Sequence, residues 1–288
     1  TEKSLRPLRD LLDKYNDNFL PEVKIEWDDI SFDAIMAKQS VQMKWTFNIP
    51  EMARKVEGVN AGYLIEVGAR PNTGKTSFHA SMLVGPDGMA RQGAKCVVLC
   101  NEESYDRVAF RYIQASTGFP KEKIQANIHE AKRIYQDVTR NVKIKDVSGE
   151  DMSWVETMCK SERPDIVVLD MGDKFASGTY SRPDEQLKAN AIYARQIAKT
   201  YSCAVFYMSQ LNAEAEGRQV LNQAMMEGSR TGKAAEADLM LLIGQPAQVE
   251  GVDEQATLRH INVVKNKVTG WHGMINCNLD YRTARFTA

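Results

Sequence analysis

Nine consecutive residues, Gly68-Ala69-Arg70-Pro71-Asn72-Thr73-Gly74-Lys75-Thr76, carry the densest chemistry in this sequence. A glycine-bounded turn that closes on Gly-Lys-Thr suits a polyphosphate, because its backbone N–H groups point inward at the anion. Residues 63–67 before it are an apolar run, and residues 77–83 after it, starting with Ser77, read as a helix. That order sets a helix N-terminus, with its partial positive charge, against the phosphates. Lys75 brings an ammonium to the β- and γ-phosphates, and the Thr76 hydroxyl can ligate Mg2+. The usual pattern has glycine five residues before Gly74; that residue here is Ala69, with Gly68 just ahead of it. Residues 69–77 are thus predicted to bind ATP, or another nucleoside triphosphate, together with Mg2+.

A second layer of polar residues sits at the ends of other apolar runs. Residues 166–169 are followed by Asp170. At the C-terminal edge of a parallel strand this carboxylate faces the phosphate crevice and is the second candidate Mg2+ ligand. Asp173, three residues on, reads as loop surface. Residues 96–100 lead into Asn101-Glu102-Glu103. One of these acids could polarise the water that attacks the γ-phosphate, or both could be solvated loop acids; the residues alone leave the two readings level. Gln210 stands just beyond the run 204–208, placed to hydrogen-bond a γ-phosphate and report its loss. An ordinary polar loop is the alternative there.

These residues need a scaffold. Apolar runs at 63–67, 96–100, 166–169, 204–208, 239–243 and 260–264, with helical stretches at 76–83, 106–116 and 185–201 between the first four, predict an α/β domain with a largely parallel, twisted sheet flanked by helices. The tail alternates, with Ile275, Cys277, Leu279 and Tyr281 on one face and Asn276, Asn278, Asp280 and Arg282 on the other, as a terminal strand antiparallel to 260–264 would. Residues 1–45 differ. Leu5, Leu8, Leu11, Leu12 and Tyr15 recur at helical spacing, with Pro7 in the first turn, so a short amphipathic helix is expected there, followed by a linker through the acidic stretch 22–33. The expected division is 1–45 and 46–288.

Composition narrows the class. With 288 residues, 43% of them hydrophobic, the chain can bury a sizeable core, and a net charge of −1 requires any basic surface for nucleic acid to be local. Five cysteines, an odd number, and four scattered histidines give no zinc spacing; the cysteines read as buried, reduced thiols of a cytoplasmic protein. There is no signal peptide and no apolar run near 18 residues, hence no membrane span is expected. The chain begins with Thr rather than Met, as a fragment of a longer protein would.

Together these segments resemble the hexameric replicative helicases of the DnaB type and their phage primase–helicase relatives, built on a RecA-like core. The likeness rests on residues 69–76, on 99–104 (Leu-Cys-Asn-Glu-Glu-Ser), on 166–170 and on 208–212. To these it adds Glu236-Ala237-Asp238 ahead of 239–243, and Lys265-Asn266-Lys267-Val268-Thr269-Gly270. It covers roughly 45–288 in the family's motif order, and the family tolerates alanine at the first P-loop position. The resemblance implies a ring that uses ATP to translocate on single-stranded DNA and unwind duplex in replication. It implies Glu102, the first acid beyond the strand end, as the water-activating group, Asp170 as the Mg2+-side carboxylate, and Gln210 as the link between nucleotide state and the DNA loops. In the family a Lys and an Arg two residues apart on a late strand reach the neighbouring subunit's nucleotide. Here those positions are Lys265 and Lys267; the second lacks the planar fork of arginine, which makes Arg259 or Arg282 an alternative finger.

The resemblance also implies DNA contact through two loops facing a ring channel: 173–183 with Lys174, Tyr180 and Arg182, and 216–233 with Arg218, Arg230 and Lys233. Ordinary solvated loops are the alternative. The N-terminal helix is implied to dock on the adjacent subunit. No primase signature is present, so a primase would lie on another chain or on residues outside this sequence, and a phage-encoded motor would work in the host cytoplasm. Two rivals stand beside the helicase. A RecA/RadA-type recombinase is disfavoured by the Arg-Pro-Asn-Thr P-loop and the Lys-x-Lys pair. The other is a P-loop ATPase with no nucleic-acid role.

Overall fold

Each apolar run singled out above forms a strand of one sheet. The structure, a computed structural model, describes Trp27 and residues 30–39, 44–176, 182–227, 232–247 and 257–288. The chain divides into two compact units, 1–42 and 43–288. In the first, helix α1 (Phe32–Gln39) stands where an irregular linker was expected, and its Phe32, Ile35 and Met36 are exposed. The helix expected across residues 5–15 lies outside the described residues.

The second unit opens with β1 (Trp45–Thr46), α2 (Pro50–Lys55) and β2 (Gly58–Val59), the two strands pairing antiparallel. Then come β3 (Leu64–Ala69), α3 (Lys75–Val84), β4 (Cys96–Cys100), α4 (Tyr105–Thr117), α5 (Lys121–Ala126), α6 (Ile128–Thr139), β5 (Val142–Asp146), α7 (Met152–Glu162) and β6 (Ile166–Asp170). A 3-10 turn at Gly172–Lys174 leads on to α8 (Pro183–Thr200), β7 (Ala204–Gln210), α9 (Gly232–Glu236), β8 (Leu239–Gly244), β9 (Leu258–Asn266), β10 (Gly273–Asp280) and β11 (Arg285–Thr287).

The nine-stranded sheet has the order β11-β10-β9-β8-β3-β7-β6-β4-β5. From β8 to β5 the pairs are parallel; β8–β9, β9–β10 and β10–β11 are antiparallel. The central strands are buried on both faces, as helical crossovers require. On one face Ile65, Val67 and Ala69 of β3 pack with Phe78 and Met82 of α3. On the other, Leu64, Val167, Leu169, Val205 and Tyr207 pack with Val155 of α7 and Ile197 of α8.

Strand β10 pairs with β9 through Ile275↔Ile261, and Ile275, Cys277 and Leu279 face the core as the alternation predicted. Tyr281 departs from that pattern: it lies beyond the strand end and is exposed. Between β4 and β6 the sequence suggested one helix, whereas the structure has four helices and β5. Strand β5 escaped notice because it is a sheet edge whose Lys143 and Lys145 point to solvent, so it makes no apolar run.

Candidate nucleotide-binding and catalytic site

The turn after β3 depends on two left-handed residues, Asn72 at φ 61° and Gly74 at φ 109°. At Gly74 a Cβ would also stand 2.5 Å from Leu279 Cδ2, so glycine is required for both backbone and space. Gly74 is the residue before α3, and its carbonyl accepts from Phe78 N–H at 2.8 Å. The N–H groups at the start of the helix therefore face the turn without intrahelical partners, as an anion site needs.

Lys75 is buried, with Nζ 3.5 Å from the Ala69 carbonyl. Burial lowers its pKa, opposed by the nearby carboxylates of Glu102, Asp170 and Asp173. Thr76 donates its hydroxyl to Asp170 Oδ2 at 3.3 Å. His79, one turn further along α3, places Nε2 3.4 Å from the same oxygen, while its Nδ1 lies 2.8 Å from the Tyr112 hydroxyl. Burial pushes the Asp170 carboxyl up, but His79, Lys75 and Thr76 together outweigh it and hold the group below its ordinary range. A hydroxyl and a carboxylate side by side, with room for phosphate oxygens, are the hard oxygen donors that Mg2+ accepts.

A cleft of about 280 Å³ over the turn is lined by Arg70, Lys75, Thr76, Glu102, Glu103 and Arg111, among others. The two acids beyond β4 have different partners. Glu103 pairs with Arg111 at 2.5 Å, whereas Glu102 lies 3.7 Å from Lys174 Nζ. Strand β7 lies beside β3 with Gln210 opposite Ala69, so Gln210 reaches the same sheet edge as the P-loop. Arg70 turns away from the cleft, donating to Glu216 Oε2 at 2.8 Å and to the Leu211 carbonyl at 2.9 Å. On that side a larger hollow of about 770 Å³ runs between the turn, Glu216, Gln245 and Tyr281.

Several expectations need correction. Asp173 is not loop surface: it is mostly buried and takes the Lys233 ammonium at 2.5 Å. Lys233 correspondingly has no exposed surface and cannot touch DNA from where it sits. Lys174 faces Glu102 at the cleft. Arg182 and Arg218 are exposed, Arg182 pairing with Asp184 at 2.7 Å. Tyr180 and Arg230 lie outside the described residues. Arg259 is buried and donates Nε to the Thr73 carbonyl at 2.9 Å, with its guanidinium 5.1 Å from the Tyr281 ring, so it braces its own P-loop. Arg282 is exposed and pairs with Glu122 at 3.5 Å.

Lys265 and Lys267 lie far from this chain's own P-loop. Lys267 N–H donates to the Asp238 carbonyl, and Asp238 N–H to that of Leu64, the first residue of β3, whereas the P-loop follows its last. Five residue steps along a strand separate the two edges by about 17 Å. Lys265 Nζ is held by the carbonyls of Ala234 and Ala235, and Lys267 Nζ lies 3.8 Å from Asp238 Oδ1. Sequence reasoning passed over His79, Arg111 and the Asp173–Lys233 pair. A signal existed for His79: it is three residues after Thr76 on one helix, which puts both on the face turned to Asp170.

A parallel sheet, a Gly-Lys-Thr turn between its central strand and a helix, and a carboxylate closing on the threonine define a P-loop ATPase of RecA-like architecture. The chain belongs to the DnaB-like helicase family: residues 46–288 match the DnaB-like helicase C terminal domain. It is accordingly an ATP-hydrolysing DNA helicase of the replicative kind. Among solved structures it is similar to a helicase ATPase domain, at 16% identity and a TM-score of 0.78, over 90% of this chain and 99% of that one. It is also similar to a DnaB-like replicative helicase described with its interactions with primase, at 15% identity and 0.75, over 99% of this chain and 76% of that one. No curated protein matches the chain. Among the described residues no helix is long and apolar enough to cross a membrane.

Proposed function

We propose that the chain is one subunit of a ring, a hexamer on the family likeness, that binds ATP between subunits and translocates on single-stranded DNA. The observation that carries this reading is the placement of Lys265 and Lys267 at the sheet edge opposite their own P-loop. From there they can serve only a nucleotide held by another copy. In this reading residues 69–77 cradle the triphosphate, and Lys75 directs its ammonium at the β- and γ-phosphates. Thr76 and Asp170 hold Mg2+, which supplies charge neutralisation between those phosphates.

Glu102 takes a proton from water as the water oxygen bonds to the γ-phosphorus and the bond to the β–γ bridging oxygen breaks, releasing ADP. Gln210 senses the γ-phosphate. Lys265 and Lys267 complete the neighbour's site, Lys267 standing in for an arginine finger. Arg182, Arg218 and Arg230 are the remaining candidates for phosphate contacts to DNA, with Lys174 between that role and the cleft. Residues 1–45 act as the linker that docks on the adjacent subunit. A primase is a further proposed partner, and the cytoplasm, of the host if the source is a phage, the proposed compartment.

The test is a mixing experiment. Lys267→Ala should abolish cooperative ATPase only in the assembled state, and mixing it with Lys75→Ala should restore some activity, because one interface then has a sound P-loop and a sound partner lysine. No recovery at any ratio, or a monomeric native mass with ATP analogue and single-stranded DNA, sinks the ring reading. Single-stranded DNA that leaves the ATPase rate unchanged counts against the nucleic-acid role.

A further inference from the structure

Beneath the cleft lies a buried polar cluster made by Glu66 of β3, Asp173, Ser209 of β7 and Lys233 of α9. Lys233 has no exposed surface; its Nζ is 2.5 Å from Asp173 Oδ1 and donates to Ser209 Oγ at 3.4 Å. Ser209 donates in turn to Glu66 Oε1 at 3.1 Å. Asp173 accepts from the Tyr207 hydroxyl at 3.2 Å and from the Gln210 backbone N–H at 3.3 Å.

The last contact has a reason in the sheet. Along β7, N–H groups alternate between neighbours: Val205 donates toward β3, to the Tyr63 carbonyl, and Ala204 toward β6, to that of Asp165. Gln210, an even number of residues from Ala204, points to the β6 side. The β6–β7 ladder ends at Leu169↔Tyr207, because the chain turns off at Met171, which is left-handed at φ 68°. Gln210 N–H is therefore beyond the last ladder acceptor, and the Asp173 carboxylate takes its place. A carboxylate in that position needs a counter-charge, and Lys233 supplies it.

We propose that Lys233 is a positioning residue of the ATPase centre: it holds Asp173 on the Gln210 N–H and thereby fixes the Gln210 side chain at the γ-phosphate edge. This rests on the reading of Gln210 given under the proposed function. It also reassigns Lys233 from DNA contact to the chemistry of hydrolysis.

Steady-state hydrolysis of Mg·ATP by the full chain, without DNA, tests it. Lys233→Met alone strands a buried carboxylate and lowers Tm for structural reasons. The Lys233→Met/Asp173→Asn double variant removes both charges together. It should keep Tm close to wild type while kcat falls at least ~10-fold with KM for ATP within about 2-fold, the signature of a lost transition-state contact. Adding Gln210→Ala should then lower kcat no further, since both changes act through one side chain. Wild-type kcat in the double variant, or full additivity with Gln210→Ala, overturns the proposal. Asp173→Asn alone, isosteric and the gentler change, should also lower kcat at unchanged KM, and an unchanged kcat there overturns it equally. Lys75→Ala separates the two readings. If that variant still hydrolyses ATP, the nucleotide-site reading fails; if it is inactive while the double variant is fully active, only the Lys233 inference fails.

Discussion

His79 Nε2 stands 3.4 Å from Asp170 Oδ2, on the far side of that carboxylate from the cleft. The contact joins the P-loop helix to the strand that carries the candidate Mg2+ ligand, and Tyr112 holds the other ring nitrogen. Groups that orient a ligating carboxylate typically matter by 10–100-fold. His79→Ala is expected to raise the Mg2+ concentration for half-maximal ATPase about 10-fold, by the same rule. A Mg2+ titration unchanged from wild type would remove His79 from the site.

Lys75→Ala should abolish ATP hydrolysis without lowering Tm. Burial disfavours the Lys75 ammonium in the folded protein, so its loss costs the fold no stabilising charge. Thermal unfolding and ATPase measured on one preparation check both halves. A large drop in Tm would show that this lysine supports the fold as well as the phosphates.

Glu102→Gln should bind ATP nearly normally and hydrolyse it at least ~100-fold more slowly, the scale of a lost general base. Glu103→Gln should be mild, because that carboxylate is paired with Arg111. Single-turnover hydrolysis of both variants decides the assignment. If Glu103 proves the severe one, the reacting water lies one residue further along the loop.

Glu66 sits fully buried, and burial raises its pKa from an ordinary 4.5 to about 7, with Lys233 pulling the other way. A carboxyl with a raised folded pKa binds its proton more tightly in the folded state. Stability must therefore fall as pH rises from about 4.5 to about 7, then stay lower. The size is roughly 3 kcal/mol if the whole shift is expressed. Glu66→Gln should flatten this part of the stability–pH curve and raise Tm above pH 7. Denaturant unfolding between pH 4.5 and 8 would expose a curve that keeps its slope in the variant, which would place the titration elsewhere.

Arg182→Ala and Arg218→Ala should weaken binding to single-stranded DNA uniformly across sequences and reduce the salt slope by about 1 per lost phosphate contact. Basal ATPase without DNA should change less. Fluorescence anisotropy over a salt series checks this, and an unaltered slope would place these exposed arginines outside the DNA path.

The local parts of this protein were legible in its sequence because local rules set them. Residues 63–67 are apolar on both faces of β3, Gly74 alone permits the left-handed turn, and Lys75 and Thr76 follow on the first turn of α3, so strand, loop and helix are all dictated within about 20 residues. The strand ends at Asp170, Glu102 and Gln210 were readable for the same reason: an apolar run stops where the sheet meets the cleft. What touches what across the sheet was not readable. The sequence placed Asp173 and Lys233 on two solvated loops, sixty residues apart in the chain, yet they form one buried pair. Their meeting depends on the strand order, which seats β7 between β3 and β6 and ends the β6 ladder before Gln210. The turn at Met171 then carries Asp173 under that edge. Likewise β9 is recognisable from its apolar run, but only its antiparallel pairing with β8 sends Lys265 and Lys267 to the edge away from their own P-loop. Charge alone marks such residues as surface; burial by partners distant in sequence is what makes them part of the machinery.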